Sequence, residues 1–268
     1  MNEQDRVNRT TWSTRPALDG FGAAEGFTDD GERAAFWRIA DESRNQPVLD
    51  IGVGGGRTTS VLRSLSSDYV AIDYMPEMVA RCRRRFPFVD VQVGDARDLS
   101  RFADDTFHLV VFSYCGIDAV NHEDRPRILS EARRVLRPNG VFWFSTLNKE
   151  GEGPRHRPWM PILRRGNRSA LRYAFETLVQ TMRMPRNVFN YFRSRGLWRE
   201  GDGWSVSPMS AHDYGLVVHY TSLAHQLTEL ERAGFKRDPE VFDDFEGKRV
   251  SAGKDRQEAF SFNILARR

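Results

Sequence analysis

Between Pro47 and Thr59 the chain reads PVLDIGVGGGRTT, a short apolar run that breaks into four glycines within five positions. Glycine loses more conformational freedom on folding than any other residue. A cluster of it therefore implies that the backbone bends sharply or approaches something closely. A strand that turns through glycines into a helix is the opening of a doubly wound α/β sheet, with a ligand at the turn. No other stretch restricts the fold as tightly.

The rest of the chain keeps the rhythm that this opening demands. Apolar runs at 47–53, 69–74, 89–95, 107–114 and 141–148 predict five strands. Helices are expected over about 28–44, from Arg57, over 76–86 and over 123–137, where RPNG ends the last of them. Asp29 and Glu32 resemble a capping pair for the first. Strands alternating with helices at this spacing imply a parallel sheet covered on both faces. After an interruption, a helix near 221–233 and strands near 239–243 and 259–266 complete seven strands. Residues 1–27 read as a polar arm or lid.

The dinucleotide fingerprint G-x-G-x-x-G would need a third glycine at position 57, but Arg57 stands there. The pattern present is D-x-G-x-G-x-G, Asp50 through Gly56. Asp73 closes the second strand and Asp95 the third. Three carboxylates thus sit at neighbouring strand ends around one glycine loop, the edge where open α/β sheets bind ligands. From there Asp73 can accept hydrogen bonds from both ribose hydroxyls. The bland alternative makes such aspartates turn or capping residues.

This constellation resembles the class I S-adenosylmethionine (SAM)-dependent methyltransferases, small-molecule branch. The likeness runs from about Val48 to Asn148 and returns in HYTSLAHQLTELERAGF and AFSFNILARR. It implies a Rossmann-like methyltransferase fold: α/β, doubly wound, a mostly parallel seven-stranded sheet with an antiparallel last strand. It also implies SAM as cofactor. Asp50 and the backbone of Gly52, Gly54 and Gly56 would bracket its methionine part. Asp73, with Tyr74 beside it, would take the ribose, and Asp95 with Ala96 the adenine. Ser113 and Tyr114 would face the methionine end. RPNG departs from the pattern at Asn139, where the family commonly has a second glycine.

The resemblance further implies in-line methyl transfer to oxygen, nitrogen or carbon of a small acceptor, acidic or aromatic. Positioning and water exclusion can supply much of the rate, about 7–11 kcal/mol in favourable cases. A general base is needed only when the acceptor arrives protonated. His122, in GIDAVNHEDR, and His219, in SAHDYGLVVHYTS, are the candidates, next to Asp118, His212, Tyr214 and Tyr220. Helix capping is the alternative for His122, and strand packing for His219. Cys115 reads as a packing residue.

Residues 151–200 hold eleven arginines against three glutamates, in a chain of net charge +3. Trp159, Met160, Phe175, Phe189, Tyr191, Phe192, Trp198 and Trp204 are interleaved with them or follow closely. Residues 151–215 therefore read as a helical, aromatic cap between two parts of one domain, 1–150 and 216–268. Its arginines would greet an acidic substrate or be solvated. With 36 arginines to four lysines overall, bias accounts for much of the signal.

The apolar runs are too short to span a bilayer, and MNEQDRVNRT lacks a signal pattern. Cys82 and Cys115 have neither CxxC nor zinc spacing, so no metal and no disulfide is expected. A reduced, cytoplasmic protein with a small-molecule partner is expected, and its oligomeric state stays open. Three other readings also stay open. A nucleic-acid methyltransferase is opposed by SYCG where an Asn-Pro-Pro-aromatic tetrad would stand. A nicotinamide-dependent oxidoreductase is opposed by Arg57. A non-catalytic SAM-binding protein is the third.

Overall fold

Ahead of the glycine loop the chain forms three helices: α1 (Glu3–Trp12), α2 (Arg15–Ala23) and α3 (Asp30–Ile39). The computed structural model describes residues 2–27, 29–160, 170–250 and 258–268. The expected arm is thus two helices, for local reasons. Asn2 accepts the Asp5 N–H at 2.8 Å and Asp5 returns the bond at 3.2 Å, a reciprocal cap on α1. Pro16 occupies the first turn of α2, where its missing N–H costs nothing. Asp29 caps α3 by accepting the Glu32 N–H at 2.7 Å. The Glu32 carboxylate accepts from both Arg57 Nη groups.

Beyond the loop, strands and helices alternate. The strands are β1 (Val48–Ile51), β2 (Tyr69–Asp73), β3 (Asp90–Val93), β4 (Phe107–Phe112) and β5 (Leu136–Leu147). The helices between them are α4 (Thr59–Leu65), α5 (Pro76–Arg85) and α6 (Arg125–Val135). The chain then forms α7 (Ala170–Arg193), β6 (Arg199–Gly201), β7 (Trp204–Met209) and β8 (Leu216–Thr221). It ends with α8 (Leu223–Arg232), β9 (Glu240–Asp243) and β10 (Ser261–Arg267).

Seven of these strands form one sheet in the order β3-β2-β1-β4-β5-β10-β9. β1, β2, β3, β4 and β5 run parallel, and β10 is antiparallel to both its neighbours, as expected of the last strand. The two sheet faces follow from strand alternation. Leu49, Ile51, Val110 and Phe112 point to the side covered by α6 and α8. Val48, Leu109, Val111 and Trp143 point to the side covered by α3, α4 and α5.

Two expectations need correction. RPNG does not separate α6 from a strand beginning at 141, because β5 already pairs with β4 at Phe107–Leu136. The pairing slips between Phe107 and Leu109, and Asn139 takes φ 66° in the resulting bulge. The insertion is also not purely helical. β6, β7 and β8 make a separate antiparallel sheet, whose last strand runs from Leu216 to Thr221. Within the expected cap, residues 161–169 and the side chain of Phe175 lie outside what is described. Among the described residues, no helix is long and apolar enough to cross a membrane.

Candidate active site

The sheet order reverses at β1, which has β2 on one side and β4 on the other, and a crevice opens above its carboxyl end. A cleft of about 220 Å³ occupies that place. Two glycines of the loop show what the bend requires. Gly56 has φ +92°, and a Cβ there would lie 2.5 Å from the Phe86 ring, so it serves packing behind the loop. Gly54 has φ +55°, lines the cleft, and would have nothing within 4 Å of a Cβ. Its bare backbone faces open space, a cradle for a ligand that must come close.

Asp73, at the tip of β2, is buried and accepts the Gly54 N–H at 2.9 Å and the Met75 N–H at 2.8 Å. It therefore shapes the loop as well as facing the cleft. Burial pushes its carboxyl up to about 6, against the lowering effect of both donors. A carboxylate accepts about four hydrogen bonds, so capacity for hydroxyl donors remains. Asp95 also lines the cleft, but Arg97 grips it through Nη2 at 2.7 Å and Nε at 2.9 Å. Burial opposes ionisation of Asp95, yet Arg97 holds its carboxyl below the usual value. Arg97 Nη1 also donates to Asp5 and Asp124, both at 2.8 Å, fastening α1 to the sheet edge.

Asp50 departs from the expectation. It is not among the cleft-lining residues, and neither is Gly56. Its Oδ2 accepts from Tyr69 Oη at 2.7 Å and Thr58 Oγ1 at 2.9 Å, behind the loop. Burial pushes its carboxyl up to about 6. Tyr69 and Thr58 thus hold one of its oxygens, while Oδ1 has no hydrogen-bond partner among the described residues. The other cofactor candidates, Gly52, Gly54, Tyr74, Ala96, Ser113 and Tyr114, all line the cleft.

Arg57, standing where a dinucleotide fold needs glycine, donates to Glu32 at 2.7 and 2.6 Å and to Ser113 Oγ at 3.1 Å. Both partners of that ion pair are buried. Its guanidinium lies 5.0 Å from the Tyr114 ring centroid. Arg57 and Arg97, the two arginines of the cleft, are thus already paired with carboxylates. Among the described residues a pyrophosphate would find no uncommitted arginine lining the cleft, whereas an adenosyl sulfonium needs none.

The roof comes from both ends of the chain. Phe21 stacks on His212 at 5.3 Å and meets Tyr114 edge-on at 6.1 Å, while Trp12 meets Tyr74 at 5.6 Å. α1 is held over the cleft because Asn8 pairs with Val217 in both directions, at 2.8 and 2.7 Å, as a neighbouring strand would. His212, Asp213 and Tyr214 all have positive φ, and so do Tyr114 and Cys115. Such backbone costs on the order of 1–3 kcal/mol per residue and tends to collect where function needs it.

The cap aromatics mainly pack on one another. Trp159, Phe192, Trp198 and Tyr214 surround Tyr191 or each other. Of residues 151–215, Met209, Ala211 and His212 line the cleft among those described. No described arginine of 151–215 lines it; Arg183 and Arg186 instead lie near Asp213.

The structure does not bring His122 or His219 to the cleft. Leu216 and Val218 of β8 line it, so His219, one residue on, points to the opposite face and is fully buried. There its Nε2 lies 3.1 Å from His122 Nδ1. His212 is the histidine that reaches the site. Its segment was legible as a source of titratable groups, but not which of its histidines faces inward. Trp12 and Phe21 carried no such signal, because their role depends on docking of the N-terminal helices.

Comparison with known proteins bears on the family and the fold. A family model described as "Methyltransferase domain" matches residues 48–140. A demethylmenaquinone methyltransferase of Renibacterium salmoninarum is 30% identical over 194 residues, 70% of this chain and 74% of that protein. A probable S-adenosylmethionine-dependent methyltransferase of Mycolicibacterium smegmatis is 30% identical over 128 residues. That match spans 48% of the relative, so the chain aligns with about half of its length. Among solved structures, the Burkholderia thailandensis 1,6-didemethyltoxoflavin-N1-methyltransferase superposes with TM-score 0.57 at 14% identity, over 98% of this chain and 88% of that one. The CcbJ methyltransferase of Streptomyces caelestis gives TM-score 0.57 at 17% identity, over 93% and 95%. These two show the fold.

Proposed function

This chain belongs to the SAM-dependent methyltransferases, and on that premise we propose that it methylates a small, ring-shaped acceptor of little net charge. The observation that carries the reading is the division of the cleft. Acid-tipped strands and a bare loop lie at one end, and Phe21, Tyr114 and His212 form the roof, with Arg57 and Arg97, the arginines that line the cleft among the described residues, already paired.

SAM supplies a methyl carbon made electrophilic by its sulfonium. The loop backbone at Gly52 and Gly54 allows close approach, and Asp73 accepts ribose hydroxyls while it holds the loop. Ala96 admits the adenine beside Asp95, and Ser113 and Tyr114 face the methionine part. The aromatic roof excludes water and holds a planar acceptor by stacking, which supplies orientation without charge. Desolvation lowers the His212 imidazole below its usual value, so at neutral pH it is unprotonated. In this reading His212, and neither His122 nor His219, accepts the proton from a hydroxyl or ammonium acceptor.

The test incubates the protein with methyl-labelled SAM and two acceptor sets: phenols, hydroxyquinones and N-heteroaromatics in one, aliphatic carboxylic acids in the other. Label in the ring compounds is the expected result. Label confined to the acids, or to added RNA, overturns the proposal. His212→Phe keeps the stack on Phe21 and removes the proton acceptor, with an expected loss in kcat of about 10²- to 10⁴-fold for a hydroxyl acceptor.

A further inference from the structure

We propose that His122, His225 and Glu229 form a binding site for a divalent transition-metal ion of the zinc or cobalt kind, outside the methyl-transfer cleft. One ligand atom from each lies within 4.8 Å of the other two. His225 and Glu229 are one turn apart on α8 and share a face. His122 arrives from the turn before α6. The i, i+4 spacing of His225 and Glu229 is local, whereas His122 comes from a distant segment that only the fold brings to them.

The nitrogen that most needs an ion is His225 Nε2. It is buried, has no hydrogen-bond partner, and lies 3.8 Å from Glu229 Oε1. A buried ring nitrogen left unpaired beside a carboxylate is costly, and an ion between the two relieves it. Tetrahedral zinc holds its donors at about 2.0–2.2 Å, hence roughly 3.3 Å from one another. The three groups need to close by no more than about 1.5 Å, within the reach of side-chain adjustment.

His122 and Glu229 are also held from behind, as metal ligands characteristically are. His122 Nδ1 meets His219 Nε2 at 3.1 Å, which leaves Nε2 of His122 for the ion. The Trp204 ring lies flat on His122, with centroids 3.8 Å apart and planes 6° apart. Glu229 turns Oε2 to Arg125 Nε at 3.4 Å, and Arg125 is anchored in turn by Asp118 and Gln226. Two imidazoles and one carboxylate suit zinc or cobalt, whereas magnesium and calcium prefer all-oxygen sets. A bound ion would tie α8 and the α6 entry to the second sheet through Trp204 and His219, fastening the cap to the main sheet.

The test uses untagged, chelator-treated protein titrated with Co²⁺, read by visible d–d absorption, and with Zn²⁺, read by calorimetry. The expected result is one equivalent bound with micromolar or tighter affinity, and a higher melting temperature. His225→Ala, and His122→Phe, which keeps the stack on Trp204, should each weaken binding at least about 100-fold while melting cooperatively. If one variant does not fold, the other decides. The proposal is overturned by wild-type protein that takes up neither ion saturably, or by a folded variant that binds like wild type.

Discussion

Replacing Asp73 by Asn separates what this residue does for the fold from what it does for the cofactor. In the ligand-free protein the carboxylate accepts two backbone N–H groups, at 2.9 and 2.8 Å. Hydrogen bonds to a charged group each contribute about 1.5–3 kcal/mol. An amide keeps one acceptor oxygen, so one of the two bonds is lost. The carboxyl value of about 6, raised from 3.8, already includes the lowering by both N–H donors, so holding the acid ionised at neutral pH costs a net of about 3 kcal/mol that the neutral amide avoids. The lost bond is thereby offset, and the melting temperature should not fall by more than about 6 °C. Cofactor binding has no such offset. Loss of a charge-assisted bond to ribose should lower SAM affinity about 10- to 150-fold. Asp73→Ala would be a poorer probe, since it strips acceptors from both N–H groups and confounds folding with binding. The assay is calorimetric titration with SAM and S-adenosylhomocysteine alongside thermal melting. A folded Asp73→Asn protein with affinity within threefold of wild type would refute the ribose assignment.

Other perturbations test neighbouring parts of the account. Glu32→Ala leaves the buried Arg57 guanidinium without its bidentate partner and should cost about 3–5 kcal/mol, a fall of roughly 6–20 °C in melting temperature; an unchanged melting curve would contradict the pairing. Gly56→Ala forces positive φ on a side chain whose Cβ meets Phe86 at 2.5 Å, so a loss of about 2–5 kcal/mol is expected in denaturant titration, and no loss would place the loop differently. SAM affinity should fall as pH drops below about 6, because ribose hydroxyls favour ionised Asp73, by at most about tenfold per pH unit. The ligand-free protein behaves oppositely at this one group. Its folded value lies above the unfolded one, so Asp73 contributes stability at low pH that is lost between about 4 and 6. Affinity that stays flat from pH 7.5 to 5.5 would remove Asp73 from the site.

Much of the sheet was legible because its signals are local. Apolar runs, glycine turns and strand-end aspartates each act over a few residues, and they placed Asp73 and Asp95 at the crevice before any tertiary contact was known. The side chains that close the site depend on pairings distant in sequence. Asp50 does not line the cleft, and one of its oxygens is held by the hydroxyl of Tyr69 on the next strand. His219 misses the cleft by one step of strand parity, which cannot be assigned until the face of β8 is known. Phe21 and Trp12 reach the roof because the N-terminal helices are docked by distant residues, through Asn8 on Val217, Asp5 on Arg97 and Asp19 on Arg81. The arginine-rich stretch looked like a recognition surface by count, but its described members pair locally or lie outside the cleft.

A crystal structure of the protein soaked with S-adenosylhomocysteine tests the core of this account most directly. It should show the ribose on Asp73, the adenine beside Asp95 and Ala96, and the amino-acid end running past Gly54 towards Ser113 and Tyr114. Density for the compound elsewhere on the molecule, or a pyridine dinucleotide taking the loop in its place, would contradict it.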